Sequence, residues 1–225
     1  MSVLFFDINN RNYTTYEVNG TTVYEIEDFY KYPDKVVDFI FNLKPSWYKK
    51  NQSGELSLNQ RKFRDRRHET EVQGLHLVSE FLSELCGQKP LQSSNTLLTN
   101  YFNMLDPKFD LHEDNYWWPH IDDGYTSLIY LNTFSYPGTN MYQHKIHDSP
   151  KDYRKLEDLI WLRTNEHEQP WQPKSDWKLN HTIQAEYNKL VLFDGFSNVH
   201  SMNTDSNIFQ SISRLNQVLF FAPYD

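Results

Sequence analysis

In the run Trp117-Trp118-Pro119-His120-Ile121-Asp122-Asp123-Gly124, an imidazole and a carboxylate stand two positions apart behind a proline. Side chains alternate along an extended backbone, so His120 and Asp122 project to the same side if this stretch is a strand. Far downstream, VLFDGFSNVHSMN supplies His200, and SISRLNQVLFF sets Arg214 inside an apolar run. Two imidazoles and one carboxylate on one face of an octahedron make an open-sided iron(II) site, with positions left for a cosubstrate and oxygen. The same three groups also permit zinc and hydrolysis. His-x-Asp alone is weak evidence, because it occurs by chance in many chains. Arg214 has two readings as well. A guanidinium buried in an apolar strand needs a counter-charge, and its planar fork meets a carboxylate through two hydrogen bonds; alternatively its head snorkels to solvent from an edge strand.

These side chains meet only if a β framework brings them together. TTYEVNGTTVYEIED, within the strand-like residues 3–26, sets Asn19-Gly20 between two β-rich runs, a two-residue hairpin turn. YPDKVVDFIFNL opens with Pro33 at a first helical position and lines up Val36, Val37, Phe39, Ile40 and Leu43, an amphipathic helix that Pro45 ends. Val72, Leu75, Val78, Phe81, Leu82 and Leu85 predict a second helix over 70–85, closed by Gly87. Strands follow at 96–105 and 126–134, then a turn at Pro137-Gly138 into another strand, and finally KLVLFDG and SISRLNQVLFF. Residues 46–69 read as polar and irregular. Residues 148–182 interrupt the β pattern with a helical piece, DYRKLEDLIWLR, and the loop EQPWQPKSDW, an insertion of the size of a lid or pocket wall.

Composition narrows the class. A chain of 225 residues suffices for one sizeable core, so residues 1–225 are expected to form a single domain. Aromatics reach 16%, favouring strands. The net charge of -8 argues against an extended polyanion, so no nucleic-acid partner is expected. The one cysteine, Cys86, cannot form an internal disulfide, which suits a cytoplasmic protein. No apolar run approaches the roughly 20 residues of a membrane span, and MSVLFFDINN has no signal-peptide pattern.

The order of these features resembles the iron(II)/2-oxoglutarate-dependent dioxygenases, in particular the prolyl 4-hydroxylase-like branch. PHIDDGYTSLIYLN is similar to that family's ligand loop and following strand, PGTNMY to its Gly-Gly-x-Thr turn, and KLVLFDGFSNVHSM to the strand bearing the second histidine. The likeness is stronger to a poorly characterised bacterial and phage family within the branch, through FYKYPDKVVDFIF, GTNMYQHK and SRLNQVLFF. Residues 44–95 and 148–182 match least. The resemblance implies a mostly β fold with flanking helices, a double-stranded β-helix or jelly roll, with both early helices outside one sheet. It implies iron held by His120, Asp122 and His200, and 2-oxoglutarate held by Arg214 with Tyr130 or Tyr101. The activity implied is hydroxylation of an unactivated C–H bond in a peptidyl residue, an amino acid or a small metabolite, consuming dioxygen and releasing succinate and carbon dioxide. Two departures stand out: Arg214 follows His200 by fourteen positions, and Pro137-Gly138-Thr139 stands where two glycines are common. The rival classes are a non-catalytic jelly-roll binding module and a zinc-dependent hydrolase.

Other residues have plainer explanations. His112, His144, His147, His167 and His181 read as surface or supporting imidazoles, with His144 the one to watch. Trp117 and Trp118 either wall a pocket or simply pack, and Trp161, Trp171 and Trp177 are candidates for a lid. The basic run RKFRDRRH, Arg61 to His68, is either a solvated loop or a flap that draws an anionic substrate.

Overall fold

In this computed structural model the described residues are 6–42, 62–67, 74–87, 99–105, 119–122, 124–145, 176–203, 208 and 212–221, with 62–67, 99–105, 144 and 221 described by their backbone alone. The Asn-Gly turn forms as its residues require. β1 (Thr14–Val18) and β2 (Thr21–Ile26) pair antiparallel, and Asn19 and Gly20 take the left-handed φ angles of 52° and 77° that the turn demands. Then come α1 (Pro33–Asn42), β3 (Lys62–Arg67), α2 (Leu75–Leu85), β4 (Thr99–Leu105), β5 (Tyr125–Tyr130), β6 (Tyr136–His144), β7 (Trp177–Ala185), β8 (Lys189–Asp194), β9 (Val199–Met202) and β10 (Arg214–Phe221).

The strands form a seven-stranded sheet of order β1-β2-β8-β5-β10-β4-β3 and a three-stranded sheet of order β7-β6-β9. Every pairing is antiparallel. An isolated bridge from His120 to His200 extends the smaller sheet beyond β9. From β4 onward the chain alternates between sheets: β4 in the larger, His120 against the smaller, β5 back in the larger, β6 and β7 in the smaller, then β8, β9 and β10 in turn.

Alternation along the strands sorts the side chains into two cores. Val18, Val23, Leu128, Tyr130, Val191, Phe193 and Val218 of the larger sheet pack against Tyr136, Met141, Ile183 and Ala185 of the smaller, filling the space between them. On the other face, Ile26, Ile129, Leu190, Leu192, Leu215 and Leu219 meet Val36 and Ile40 of α1 and Leu75, Val78, Phe81 and Leu82 of α2. The helices therefore lie outside the larger sheet. Each side chain of this size stabilises by about 2 kcal/mol when fully buried. Gly87, at φ 67°, follows α2 as the left-handed stop the sequence predicts. Burial pushes the Cys86 thiol up to about 12, with Asp194 adding to the shift, so it is not an activated nucleophile.

Several expectations are corrected. Residues 62–67 are a strand, β3, rather than irregular chain, because their backbone extends the sheet beyond β4. β5 ends at Tyr130, not 134: the Asn132 side chain takes over the pairing with β10, accepting from the Leu215 N–H (2.8 Å) and donating to the Ser213 carbonyl (2.8 Å). Pro137-Gly138 is not a turn but part of β6, at a register shift where the missing proline N–H does no harm. Residues 177–182, expected within the insertion, begin β7, which pairs along β6. The rest of the proposed insertion, 148–175, lies outside the described residues. Among the described residues no helix is long and apolar enough to cross a membrane.

A buried cation closes the interior at the end carrying Tyr130. Lys189, opposite Tyr130 on β8, places its ammonium 2.8 Å from Glu25 and 3.3 Å from Glu27, and Glu25 also accepts a hydrogen bond from Tyr16 (2.7 Å). Burial alone would lower the lysine's pKa, but the two carboxylates outweigh it and raise it. Lys189→Ala should destabilise the fold by about 3 kcal/mol, because it strands Glu25 without its counter-ion. Urea unfolding would measure this, and Lys189→Met combined with Glu25→Gln should recover much of the loss.

Candidate metal centre

The segments that carry His120 and His200 are held to each other by their backbones before any side chain is considered. His120 N–H donates to the His200 carbonyl and His200 N–H to the His120 carbonyl, both at 2.9 Å. One residue pair of β ladder thus places the two imidazoles side by side, with ring centroids 4.5 Å apart. Asp122 N–H then donates to the Gly195 carbonyl (3.0 Å), and Gly195 N–H to the Gly124 carbonyl (2.8 Å), tying the His-x-Asp segment to the turn after β8. Between His120 and Asp122, Ile121 points to the opposite side and is buried with Tyr142, Trp177 and Val199. Its burial fixes which way its neighbours face.

The Asp122 carboxylate lies between the imidazoles, with Oδ2 3.2 Å from His200 Nε2 and Oδ1 3.9 Å from His120 Nε2. One donor atom from each residue lies within 4.8 Å of the others. Neighbouring donors around an ion bound at about 2.1 Å are about 3 Å apart, so a modest closing of this set would hold a divalent cation. His120 is 41% exposed while Asp122 and His200 are 15% and 6% exposed, so the cluster opens on the His120 side. Burial by itself would raise the Asp122 pKa, but His200, His120 and a hydrogen bond from the Thr126 hydroxyl hold it well below the usual carboxylate range. The His200 tautomer is fixed too. Its Nδ1 lies 2.8 Å from the Asn198 carbonyl, which can only accept, so Nδ1 carries the proton and Nε2 offers its lone pair to the cluster.

Behind this set stands a layer of support that spacing alone did not reveal. Asn198 is fully buried; its amide donates to Thr21 (2.6 Å) and to the Asp194 carbonyl (2.9 Å), and its oxygen accepts from Asn19 (3.2 Å). The N-terminal hairpin turn therefore braces the turn that presents His200. Gly195 leaves room for the Thr126–Asp122 bond, since a Cβ there would lie 2.3 Å from Thr126 Oγ1 and 2.8 Å from the Gly124 carbonyl oxygen. Phe193 closes the floor, edge-on to His200 at 4.9 Å.

Arg214 is buried in the same interior, at the end of β6 away from His200. One Nη donates to the Gly138 carbonyl (3.3 Å), the guanidinium carbon lies 5.9 Å over the Tyr136 ring, and Nε is buried with no hydrogen-bond partner. Among the described residues no carboxylate lies within ion-pair distance of it. Around it, the Tyr130 hydroxyl shares a hydrogen bond with Thr139 (2.8 Å), and a Cβ on Gly138 would meet the Tyr130 ring at 3.0 Å. Burial raises the pKa of both Tyr130 and Tyr136, and Arg214 pulls each back, so both phenols stay neutral donors. Tyr136 and Thr139 thus join Arg214 and Tyr130 as polar groups around one buried cation; the sequence offers no signal for Tyr136 beyond its place beside Pro137.

Of the residues singled out from sequence, His120, Asp122 and His200 converge, and Tyr130 lies beside Arg214. Tyr101 sits opposite Val218 on β4, and its side chain lies outside the described residues. So do Asp123, Trp117, Trp118, Trp161, Trp171, His112, His147, His167 and the His144 side chain. His181 packs at a tilt against Tyr16, with ring centroids 4.9 Å apart, and takes no part in the cluster. Trp177 packs edge-on against Tyr142.

No protein-family model and no curated protein matches the chain. Among solved structures it is similar to a protein from Shewanella oneidensis taken to be an oxygenase (12% identity, TM-score 0.47, covering 85% of this chain and 76% of that one). It is also similar to SnoK, a non-heme α-ketoglutarate-dependent carbocyclase of nogalamycin biosynthesis (13%, TM-score 0.42, 83% and 72%). A third is TqaL, an Fe(II)/α-ketoglutarate-dependent dioxygenase (15%, TM-score 0.38, 75% and 64%). At this distance the likenesses carry no argument, and the chemistry is read from the site's own atoms.

Thr126→Val should weaken binding of cobalt(II) or manganese(II) by about tenfold or more, as loss of a group that orients a metal ligand does, while Thr126→Ser retains it. Gly195→Ala should be at least as damaging, because its Cβ displaces the same hydroxyl. Isothermal titration on the metal-free protein, with circular dichroism to confirm folding, measures both.

Proposed function

We propose that this chain is an iron(II)- and 2-oxoglutarate-dependent oxygenase, built on a double-stranded β-helix and akin to the prolyl 4-hydroxylase-like branch. The observation that carries the proposal is the pairing, inside one sandwich, of an open-sided His-Asp-His cluster with a buried guanidinium that has no carboxylate partner among the described residues. A buried unpaired cation is strongly unfavourable, and a dicarboxylate cosubstrate supplies what is missing. The alternation of segments between two sheets, with two ligands on a bridge at the edge of the smaller one, supports the architecture.

His120, Asp122 and His200 would hold the iron, in a cluster whose most exposed member is His120. Iron with 2-oxoglutarate and dioxygen supplies the oxidising chemistry, in which cosubstrate decarboxylation to succinate and carbon dioxide drives hydroxylation of an unactivated C–H bond. The chain positions and shields. Arg214 grips the far carboxylate of the cosubstrate through its free Nε–H and a neighbouring Nη, with Tyr130 and Thr139 as hydroxyl donors beside it and Tyr136 beneath the guanidinium. Leu128, Val191, Phe193 and Val218 keep the intervening space apolar and dry. Thr126 holds one Asp122 oxygen, and Asn198 holds the His200 ring in the metal-binding tautomer. The primary substrate is a peptidyl residue, an amino acid or a small metabolite.

A zinc hydrolase would use the same three ligands but leaves Arg214 without a role, and a binding module leaves both features without one. The test follows from that difference. His120→Ala and Asp122→Ala should abolish iron-dependent conversion of 2-oxoglutarate to succinate with the fold intact. Arg214→Ala should raise the KM for 2-oxoglutarate by about ten- to a hundred-fold, the loss of a charge-assisted hydrogen bond, with a smaller effect on kcat. Turnover that survives Asp122→Ala, or an unchanged KM in Arg214→Ala, would overturn the assignment.

A further inference from the structure

The hairpin turn that braces His200 contains the one Asn-Gly pair in the sequence, and the side-chain amide of its asparagine is fully engaged. Asn19 Nδ2 donates to Asn198 Oδ1 (3.2 Å) and to the Tyr142 carbonyl (3.4 Å), and Asn19 Oδ1 accepts from Asn180 Nδ2 (2.6 Å). Asn198 in turn donates through Nδ2 to the Asp194 carbonyl (2.9 Å), which can only accept, so its Oδ1 faces Asn19 and needs a donor there. An amide supplies that donor; a carboxylate cannot. Asn198 also lies in a turn that holds both halves of the candidate metal centre. Its carbonyl faces His200 Nδ1 (2.8 Å), and the Gly195 carbonyl accepts from the Asp122 N–H (3.0 Å). Asp194 closes that turn by accepting from the Phe196 and Ser197 N–H groups (2.9 and 3.1 Å) and the Ser197 hydroxyl (2.7 Å). Because Asn198 is wholly buried, its oxygen has no recourse to water if Asn19 ceases to donate.

Asn19 and Gly20 are themselves exposed, and a Cβ added to Gly20 would meet nothing within 4 Å. Water therefore reaches the turn, and no side chain crowds the Gly20 nitrogen. The reaction open to such a pair consumes only water. The Gly20 nitrogen bonds to Asn19 Cγ, the Cγ–Nδ2 bond breaks, and ammonia leaves with the proton from Gly20, closing a five-membered imide. Water then adds across one of the two ring C–N bonds and gives aspartate or its β-linked isomer, with nothing oxidised or reduced. The three hydrogen bonds on the Asn19 amide oppose the approach of Cγ to the Gly20 nitrogen, so the reaction waits on local release of that amide from Asn198 and Tyr142.

We infer that Asn19 is a deamidation site coupled to the metal centre. Loss of its amide removes the donor to Asn198, loosens the turn beneath His200 and Asp122, and weakens metal binding; a bound ion, by holding that turn, slows the loss in return. This rests on His120, Asp122 and His200 binding a divalent cation, and not on the reaction proposed above. The full-length chain is kept warm at mildly alkaline pH, with and without saturating cobalt(II), and peptide mass mapping follows conversion of amide to acid. The metal-free chain should convert at Asn19 before any other described asparagine, and cobalt(II) should slow that conversion by at least about threefold. The converted chain, titrated calorimetrically, should bind cobalt(II) about fivefold more weakly, the loss of one hydrogen bond. Asn19→Asp should match it, and because Asp-Gly suits the same turn, this variant separates loss of the donor from loss of the hairpin. Nitrogen NMR of the imidazoles in the metal-free chain supplies a readout independent of the ion: Asn19→Asp should shift or broaden the His200 signal and leave that of His181 unchanged. Conversion elsewhere before Asn19, equal rates with and without cobalt(II), or native affinity in both the converted chain and Asn19→Asp overturns the inference. A native chain that binds no cobalt(II), while Asn19→Asp still alters the His200 signal, refutes the metal centre and leaves the link from Asn19 to His200 standing. Cobalt(II) binding by the native chain with no change in Asn19→Asp refutes the link alone.

Discussion

A single carboxylate wedged between two imidazoles, at the margin where two sheets face each other, governs much of what surrounds it. Asp122 is 15% exposed and shares its oxygens with His200, His120 and the Thr126 hydroxyl. Such a group is unfavourable inside a protein unless each partner is held in place. The paired backbone hydrogen bonds between His120 and His200 supply that constraint, and the features around them serve it. Ile121 is buried on the far side to aim its neighbours, Gly195 gives up its side chain, and Asn198 ties the second histidine to the hairpin turn at Asn19.

The sandwich has two polar ends with an apolar middle. At one end stands the His-Asp-His cluster; at the other lie Arg214, Tyr130, Thr139, Tyr136 and the Lys189–Glu25 pair. Leu128, Val191 and Val218 lie between. The Lys189 ammonium finds its carboxylates within the chain, whereas among the described residues the Arg214 guanidinium has the Gly138 carbonyl and Tyr136 beside it and no carboxylate within ion-pair distance. That contrast sets the two buried cations of one interior apart. Among the described residues the two sheets also differ in width, seven strands against three.

The elements with strong local rules were legible from sequence. Asn19-Gly20 can be read because few residue pairs accept two positive φ angles, and α1 because Pro33, Val36 and Ile40 satisfy a start signal and a period together. His120, Asp122 and His200, the candidate metal-site residues, were legible as types in an order, but their convergence was not, because it depends on a ladder between segments eighty residues apart. Pro137-Gly138 misled because the pair that commonly makes a turn can also sit in a strand when a bulge removes the need for a proline N–H. β3 was missed because Lys-Phe-Arg-Asp-Arg-Arg has the composition of a solvated segment; only its partner β4 makes it a strand. The supporting residues Thr126, Gly195 and Asn198 carry no motif, since their roles exist only in the folded geometry.

The central claim is that one interior holds both a metal ion and the carboxylate that Arg214 lacks. A crystal structure of the protein grown without oxygen in manganese(II) and 2-oxoglutarate tests it most directly. The account predicts one ion bound by His120, Asp122 and His200, chelated by the keto end of 2-oxoglutarate, with the far carboxylate hydrogen-bonded to Arg214 Nε. An ion bound elsewhere, or a cosubstrate whose far carboxylate lies away from Arg214, would contradict it.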